Sequence, residues 1–248
     1  VFSPASGLNY RRFLRQMHAR IPVEWYMEIG CRTGDTLAGV TAKTIGVDPF
    51  FRVEANVIRQ KPVFMAFQQT SDEFFASKFL ERNDVRLSLS FLDGMHLFEY
   101  LLRDFIGTER NSLHEGAILM HDCCPSTEEM TTRDLDNLPK GAWTGDVWKI
   151  LPILQRWRPD LIVDVLDCSP TGIVIVRNLD PDNRVLEQNY DEIIATFSNE
   201  DGIDAARSAY LETFSYLGAR EYLSGGGLFS TTDLHRKDDQ KAPEYVTP

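Results

Sequence analysis

The sequence predicts an α/β protein: a Rossmann-like seven-stranded sheet, mostly parallel, with an antiparallel last hairpin, helices on both faces and extra C-terminal helices. Three observations carry this. Five short apolar runs alternate with stretches of helical periodicity, the pattern of a parallel sheet joined by right-handed crossovers. Two more runs, at 161–166 and 172–176, are separated by only five residues, too few for a helical crossover, so they pair as an antiparallel hairpin. Of the 248 residues, 43% are hydrophobic and 25% charged, enough apolar material for a sizeable core.

The elements follow in order. Leu8, Phe13, Leu14 and Met17 give approximately helical spacing over 8–20, ended by Pro22. Strands are predicted at 25–29, stopping at Gly30; at 43–47, stopping at Asp48-Pro49; and at 62–67. Two more are predicted at 86–92, stopping at Asp93-Gly94, and at 117–120, stopping at His121-Asp122. Phe74, Phe75, Phe79 and Leu80 form one helical stripe between the third and fourth strands. Leu97, Leu101 and Phe105, four apart with Phe98 and Leu102 beside them, form another between the fourth and fifth. Residues 125–145 are irregular and polar, a helix is expected at 146–157, and 185–222 read as helical with interruptions near 199–202. The chain thus divides into an N-terminal helix (1–22), a sheet domain (23–178), a helical extension (179–223) and a mobile tail (224–248), which opens on a triple glycine.

The net charge is −11, and residues 178–248 concentrate it, with 14 acids against 6 bases. Such a chain repels phosphates, which argues against nucleic acid and anionic membranes as partners. No apolar run reaches the roughly 18 residues of a membrane span, and the N-terminus has no secretory layout. Cys31, Cys123, Cys124 and Cys168 include no CxxC pair, so reduced thiols in a cytoplasmic protein are expected.

In an open parallel sheet, ligands bind beyond the carboxyl ends of the strands. Those ends carry Glu28-Ile-Gly-Cys-Arg-Thr-Gly34, Asp48, Thr70-Ser-Asp72, Asp93 to His96, and His121-Asp122. Glycines four apart permit a sharp turn and leave room for a ligand, but Gly-x-x-x-Gly is not the dinucleotide fingerprint. Glu28 would repel a pyrophosphate and suit a cationic amino-acid moiety. A carboxylate at Asp48 accepts both hydroxyls of a ribose; an Asp-Pro turn is the plain alternative. Ser71-Asp72 reads equally as a helix N-cap, and His96 equally as a non-catalytic histidine starting a helix.

The set Glu-x-Gly-x-x-x-Gly, Gly46-Val-Asp48, Leu92-Asp-Gly-Met-His96 and Met120-His-Asp-Cys-Cys-Pro125 resembles class I S-adenosylmethionine (SAM)-dependent methyltransferases. More narrowly, it resembles the small-molecule O-methyltransferase-like bacterial group with Asp-Gly-x-His and His-Asp-x-x-Pro motifs. The resemblance covers about 23–178 and implies SAM as cofactor. Glu28, Gly30, Cys31 and Gly34 would line its methionine and ribose part and Asp48 would take the ribose hydroxyls. Ser71 and Asp72 would lie near the adenine, with Phe50 or Phe51 over its face and Asp93 alongside. It implies His96 and Asp122 as catalytic residues and, through the catechol-type enzymes, a divalent ion (Mg or Mn) at Asp93, Asp122 and His121, although Cys123 stands where those enzymes carry an amide or acid. Gly145-Asp-Val-Trp-Lys149 is familiar from uncharacterised members of the group. The expected reaction is methyl transfer to an oxygen, or a nitrogen, of a small-molecule acceptor covered by the 125–148 loop, where Trp143 would stack on a ring. The extra helices suit a lid or a homodimer. The alternatives are a non-catalytic Rossmann-like binding or dimerisation protein and a nicotinamide-dependent oxidoreductase.

Overall fold

The structure is a computed structural model and describes residues 2–54 and 56–225. Its centre is one seven-stranded sheet: β1 (Trp25–Ile29), β2 (Lys43–Val47), β3 (Phe64–Phe67), β4 (Leu87–Leu92), β5 (Ser112–His121), β6 (Ile162–Leu166) and β7 (Ile173–Arg177). The order is β3-β2-β1-β4-β5-β7-β6. The first five strands are parallel, and β7 lies antiparallel to both β5 and β6. The predicted sheet is therefore the observed one. The chain order reverses between β1 and β4, which sets a crevice beyond their carboxyl ends.

Strands buried on both faces need near-continuous apolar runs, and β4, β5 and β7 supply them. Strand β5 starts earlier than the apolar run suggested, because its first half carries exposed His114 and Glu115 beyond the edge of the core. The stripe at 74–80 is two helices rather than one, α2 (Ser71–Ala76) and α3 (Phe79–Arg82), broken where Lys78 turns left-handed at φ +53°. The N-cap of α2 is Thr70, whose hydroxyl and Glu73 form a reciprocal capping box, so neither Ser71 nor Asp72 holds that role.

Helices cover both faces. On one side α1 (Tyr10–His18) seals Tyr26, Leu89, Phe91 and Leu119 with Phe13, Leu14 and Met17. On the other, α4 (Phe98–Arg110) and α5 (Ile150–Trp157) pack with Leu101, Leu102, Phe105, Ile150 and Ile153. The C-terminal helices are α6 (Val185–Gln188), α7 (Tyr190–Ser198), α8 (Glu200–Thr213) and α9 (Ala219–Ser224), with the expected break at Asn199. Leu186, Ile193, Phe197, Ala206 and Tyr210 belong to the same core as α4 and α5, and Ala219 to the core under α1. The extension is thus packed onto the sheet. Of the expected mobile tail, Ser224 ends α9, and 226–248 lie outside the described residues.

Candidate functional site

Two clusters of polar residues lie at the carboxyl ends of the strands, on either side of the β1/β4 crevice. The first is the bend after β1. Glu28 is fully buried, and its carboxylate accepts hydrogen bonds from Tyr26 (2.7 Å) and Thr36. Burial pushes its pKa up to about 7 against those two donors. Gly30 turns at φ +89°, where an added Cβ would stand 1.8 Å from the Asp93 carbonyl oxygen. At Gly34 (φ +79°) the side-chain space is held by Val57, 2.5 Å from a built Cβ. At both positions the left-handed backbone and the close packing of the chain call for glycine. The Cys31 thiol is buried and donates to the Glu28 carbonyl at 3.2 Å.

Asp48 lies against this bend. One carboxylate oxygen accepts from the Arg32 N–H (2.8 Å), the other from Phe50 N–H (2.7 Å). The Asp-Pro turn and a strand-end acceptor are thus the same residue, since a carboxylate has about four lone-pair sites and the turn uses two. Lys61, buried behind, donates to the carbonyls of Leu37, Val40 and Val57, which pins the 49–61 segment onto the bend. Phe50 is 77% exposed, whereas Phe51 packs into the core beside Gly46. Asp72 is held by a two-pronged ion pair from Arg103 (2.8 and 2.9 Å). Asp104, on α4, is a buried carboxyl whose pKa burial raises to about 7.

The second cluster forms where β4 and β5 end. Asp93, His96, His121 and Asp122 converge there. His96 Nε2 lies 3.2 Å from Asp122 Oδ2 and 3.6 Å from Asp93 Oδ1. His121 Nδ1 lies 3.2 Å from Asp93 Oδ1 and 3.4 Å from Asp122 Oδ2. Thr171 donates its hydroxyl to Asp122 and stands 3.3 Å from His121 Nε2. With its proton given to Asp122, that hydroxyl accepts from Nε2, and the carboxylates accept from Nδ1, so both ring nitrogens of His121 are donors. Burial opposes this charge, but Asp93 and Asp122 outweigh it and raise His121 well above its ordinary pKa. Reciprocally, His121 and His96 hold Asp93 below the usual carboxylate range in spite of burial. Asp122 adopts φ +59°, a conformation uncommon outside glycine and concentrated at functional sites.

Among the described residues, one atom each from Asp93, His96 and Asp122 lie within 4.8 Å of one another, a grouping able to hold a metal ion. His121, expected as a ligand, lies behind this grouping, with Nδ1 facing both carboxylates and Nε2 facing the Thr171 hydroxyl. The oxygen and imidazole donors suit a divalent cation such as magnesium or manganese. Cys123 does not intrude: its thiol is buried and donates to the His121 carbonyl.

Residues from distant parts of the chain complete the cluster. The Tyr10 ring stacks on His121, centroids 4.0 Å apart, and Trp143 lies over His96 at 5.0 Å. Trp143 was legible as a loop aromatic. Tyr10 and Thr171 were not: Tyr10 is brought in by the pairing of the α1 start with the β6–β7 turn, where Tyr10 N–H donates to the Ser169 carbonyl and Ser169 N–H to that of Leu8, and Thr171 by the pairing of β7 with β5, where Cys124 N–H donates to its carbonyl.

The fold has solved counterparts. The cofactor-bound protein Rv0187 from MTB is 13% identical, with a TM-score of 0.51 over 70% of this chain and 80% of its own. The O-methyltransferase TomG from Streptomyces achromogenes, in complex with SAM, is 13% identical, with a TM-score of 0.47 over 68% of this chain and 78% of its own. An O-methyltransferase from Bacillus cereus in complex with SAH is 12% identical, with a TM-score of 0.45 over 67% and 79%. At 13% identity the likeness to Rv0187 speaks to the fold alone, and the strand order is Rossmann-like. No protein-family model matches the chain, and no curated protein matches its sequence. No helix among the described residues is long and apolar enough to cross a membrane.

Proposed function

We propose that the protein is a SAM-dependent methyltransferase that acts on an oxygen of a small-molecule acceptor with the help of a divalent ion. The observation that carries this is the convergence of Asp93, His96 and Asp122 at the ends of adjacent strands, across the crevice from the bend that holds Asp48. The net charge of −11 argues against a nucleic-acid acceptor.

Asp48 would take the ribose hydroxyls with its remaining lone pairs, and Phe50 is free to lie over the adenine. Asp93 and Asp122 would hold the ion, which when bound lowers the pKa of an acceptor hydroxyl and orients it. His121, fixed as a donor between the two carboxylates, keeps them in place. His96 presents Nε2 beside both carboxylates and, once an ion takes up their charge, would be the base that receives the acceptor's proton. Tyr10 and Trp143 wall the centre, so that positioning and water exclusion contribute to the rate.

The test is incubation of the full chain with methyl-labelled SAM, manganese or magnesium, and a panel of phenols, catechols and sugars. Label transfer that EDTA abolishes supports the reading. Undiminished transfer in EDTA removes the ion from it, and absence of both transfer and SAH binding overturns it.

A further inference from the structure

The motif Gly145-Asp-Val-Trp-Lys149 has no part in the chemistry above, yet the structure builds it directly behind His96. At Gly145 (φ +53°) the chain presses so closely on the His96 carbonyl that an added Cβ would fall 1.6 Å from its oxygen. The Asp146 N–H donates to that same carbonyl at 3.2 Å. Its side chain supplies what α4 lacks. Leu97 at the N-cap has no capping group, and Asp146 Oδ1 accepts from the Phe98 N–H at 3.0 Å. The other oxygen takes Lys149 Nζ (2.8 Å) and Arg133 (2.7 Å), and the buried Lys149 also donates to the Phe197 carbonyl of α7 (2.8 Å).

The outcome of this anchoring is a single contact. The Trp143 carbonyl stands 2.8 Å from His96 Nδ1. A carbonyl only accepts, so Nδ1 carries a proton and Nε2 is the nitrogen turned to Asp93 and Asp122.

We propose that Gly145 and Asp146 are positioning residues for His96: they seat the 143–146 turn on the start of α4, so that the Trp143 carbonyl fixes Nδ1–H and turns Nε2 toward Asp93 and Asp122. The use made of Nε2 rests on the methyltransferase reading; the ring's hydrogen bond does not.

The experiment is a proton–nitrogen correlation spectrum of the imidazole rings in the full chain labelled with nitrogen-15 histidine, with His96 assigned by the signals lost in His96→Gln. The expected result is an exchange-protected Nδ1–H resonance for His96 that disappears in Gly145→Ala and Asp146→Ala, while circular dichroism stays that of the wild type. In the transfer assay both variants should lose about tenfold or more in kcat, with the KM for SAM little changed. An unprotonated Nδ1 in the wild type, or a protected signal that survives in both folded variants, overturns the proposal. Should the variants fail to fold, an unprotonated Nδ1 in the wild type still overturns the proposal. A protected Nδ1–H in a chain that binds no SAH upholds the positioning role and sinks the methyltransferase reading; methyl transfer with an unprotonated Nδ1 does the reverse.

Discussion

The two polar clusters beside the crevice are built on opposite principles. In the bend after β1 the carboxylates bond to the chain's own donors: Glu28 to Tyr26 and Thr36, Asp48 to two main-chain N–H groups. At the ends of β4 and β5, two carboxylates and two imidazoles crowd together, Asp93 and His96 still about one-fifth exposed. The first arrangement shapes a backbone and leaves spare acceptors on Asp48. The second concentrates titratable groups where a substrate can reach them, the usual signature of chemistry. An acid at a strand end is therefore informative only once its partners are known.

The largest expected effect separates the two clusters directly. His96→Ala and Asp122→Ala should each lower methyl transfer about 100-fold or more, measured with labelled SAM, while SAH affinity stays near that of the wild type. Loss of SAH binding in step with activity would erase the division between a binding side and a chemical side.

Next in size is a structural break of the bend. Gly30→Ala combines a left-handed backbone with an overlap on the Asp93 carbonyl, and should cost about 3 kcal/mol or more in denaturant unfolding. A cost under about 1 kcal/mol would mean that the two clusters are not in contact through this residue.

The pH dependence of stability is a smaller effect and tests the buried acids. Asp104 and Glu28 have native pKa values raised to about 7 by burial, so between the ordinary carboxylate range and pH 7 the native state holds protons that the unfolded chain has released. Stability from these groups is full at low pH and falls as pH rises through that window. His18, buried and lowered to about 4, works the other way, adding stability as pH rises from about 4 to 6.5. Asp104→Asn removes one falling contribution, so its melting temperature relative to wild type should be higher at pH 8 than at pH 4. The underlying change is at most about 1.4 kcal/mol for each pH unit in the window. An equal offset at both pH values would show that Asp104 ionises normally.

The smallest effect is expected at Phe50, 77% exposed. Phe50→Ala should change stability by less than about 0.5 kcal/mol and weaken SAH by about threefold to tenfold. An unchanged affinity would place the adenine elsewhere.

Much of this was legible in the sequence because it rests on local signals. The apolar runs, the five-residue gap before β7 and the strand-end acids fixed the sheet and pointed to Asp48, Asp93, His96 and Asp122. What escaped has a common physical origin. The half-polar start of β5 offered no apolar run, the break at Lys78 is a single backbone angle, Tyr10 reaches the centre only through pairing of segments about 160 residues apart, and Thr171 reaches it through the register of β7 on β5.

The most direct test is calorimetric titration of SAH into the full chain with manganese present. The account predicts one site of about micromolar Kd, abolished by Asp48→Ala and retained in His96→Ala. No heat of binding, or binding that survives Asp48→Ala unchanged, would contradict it.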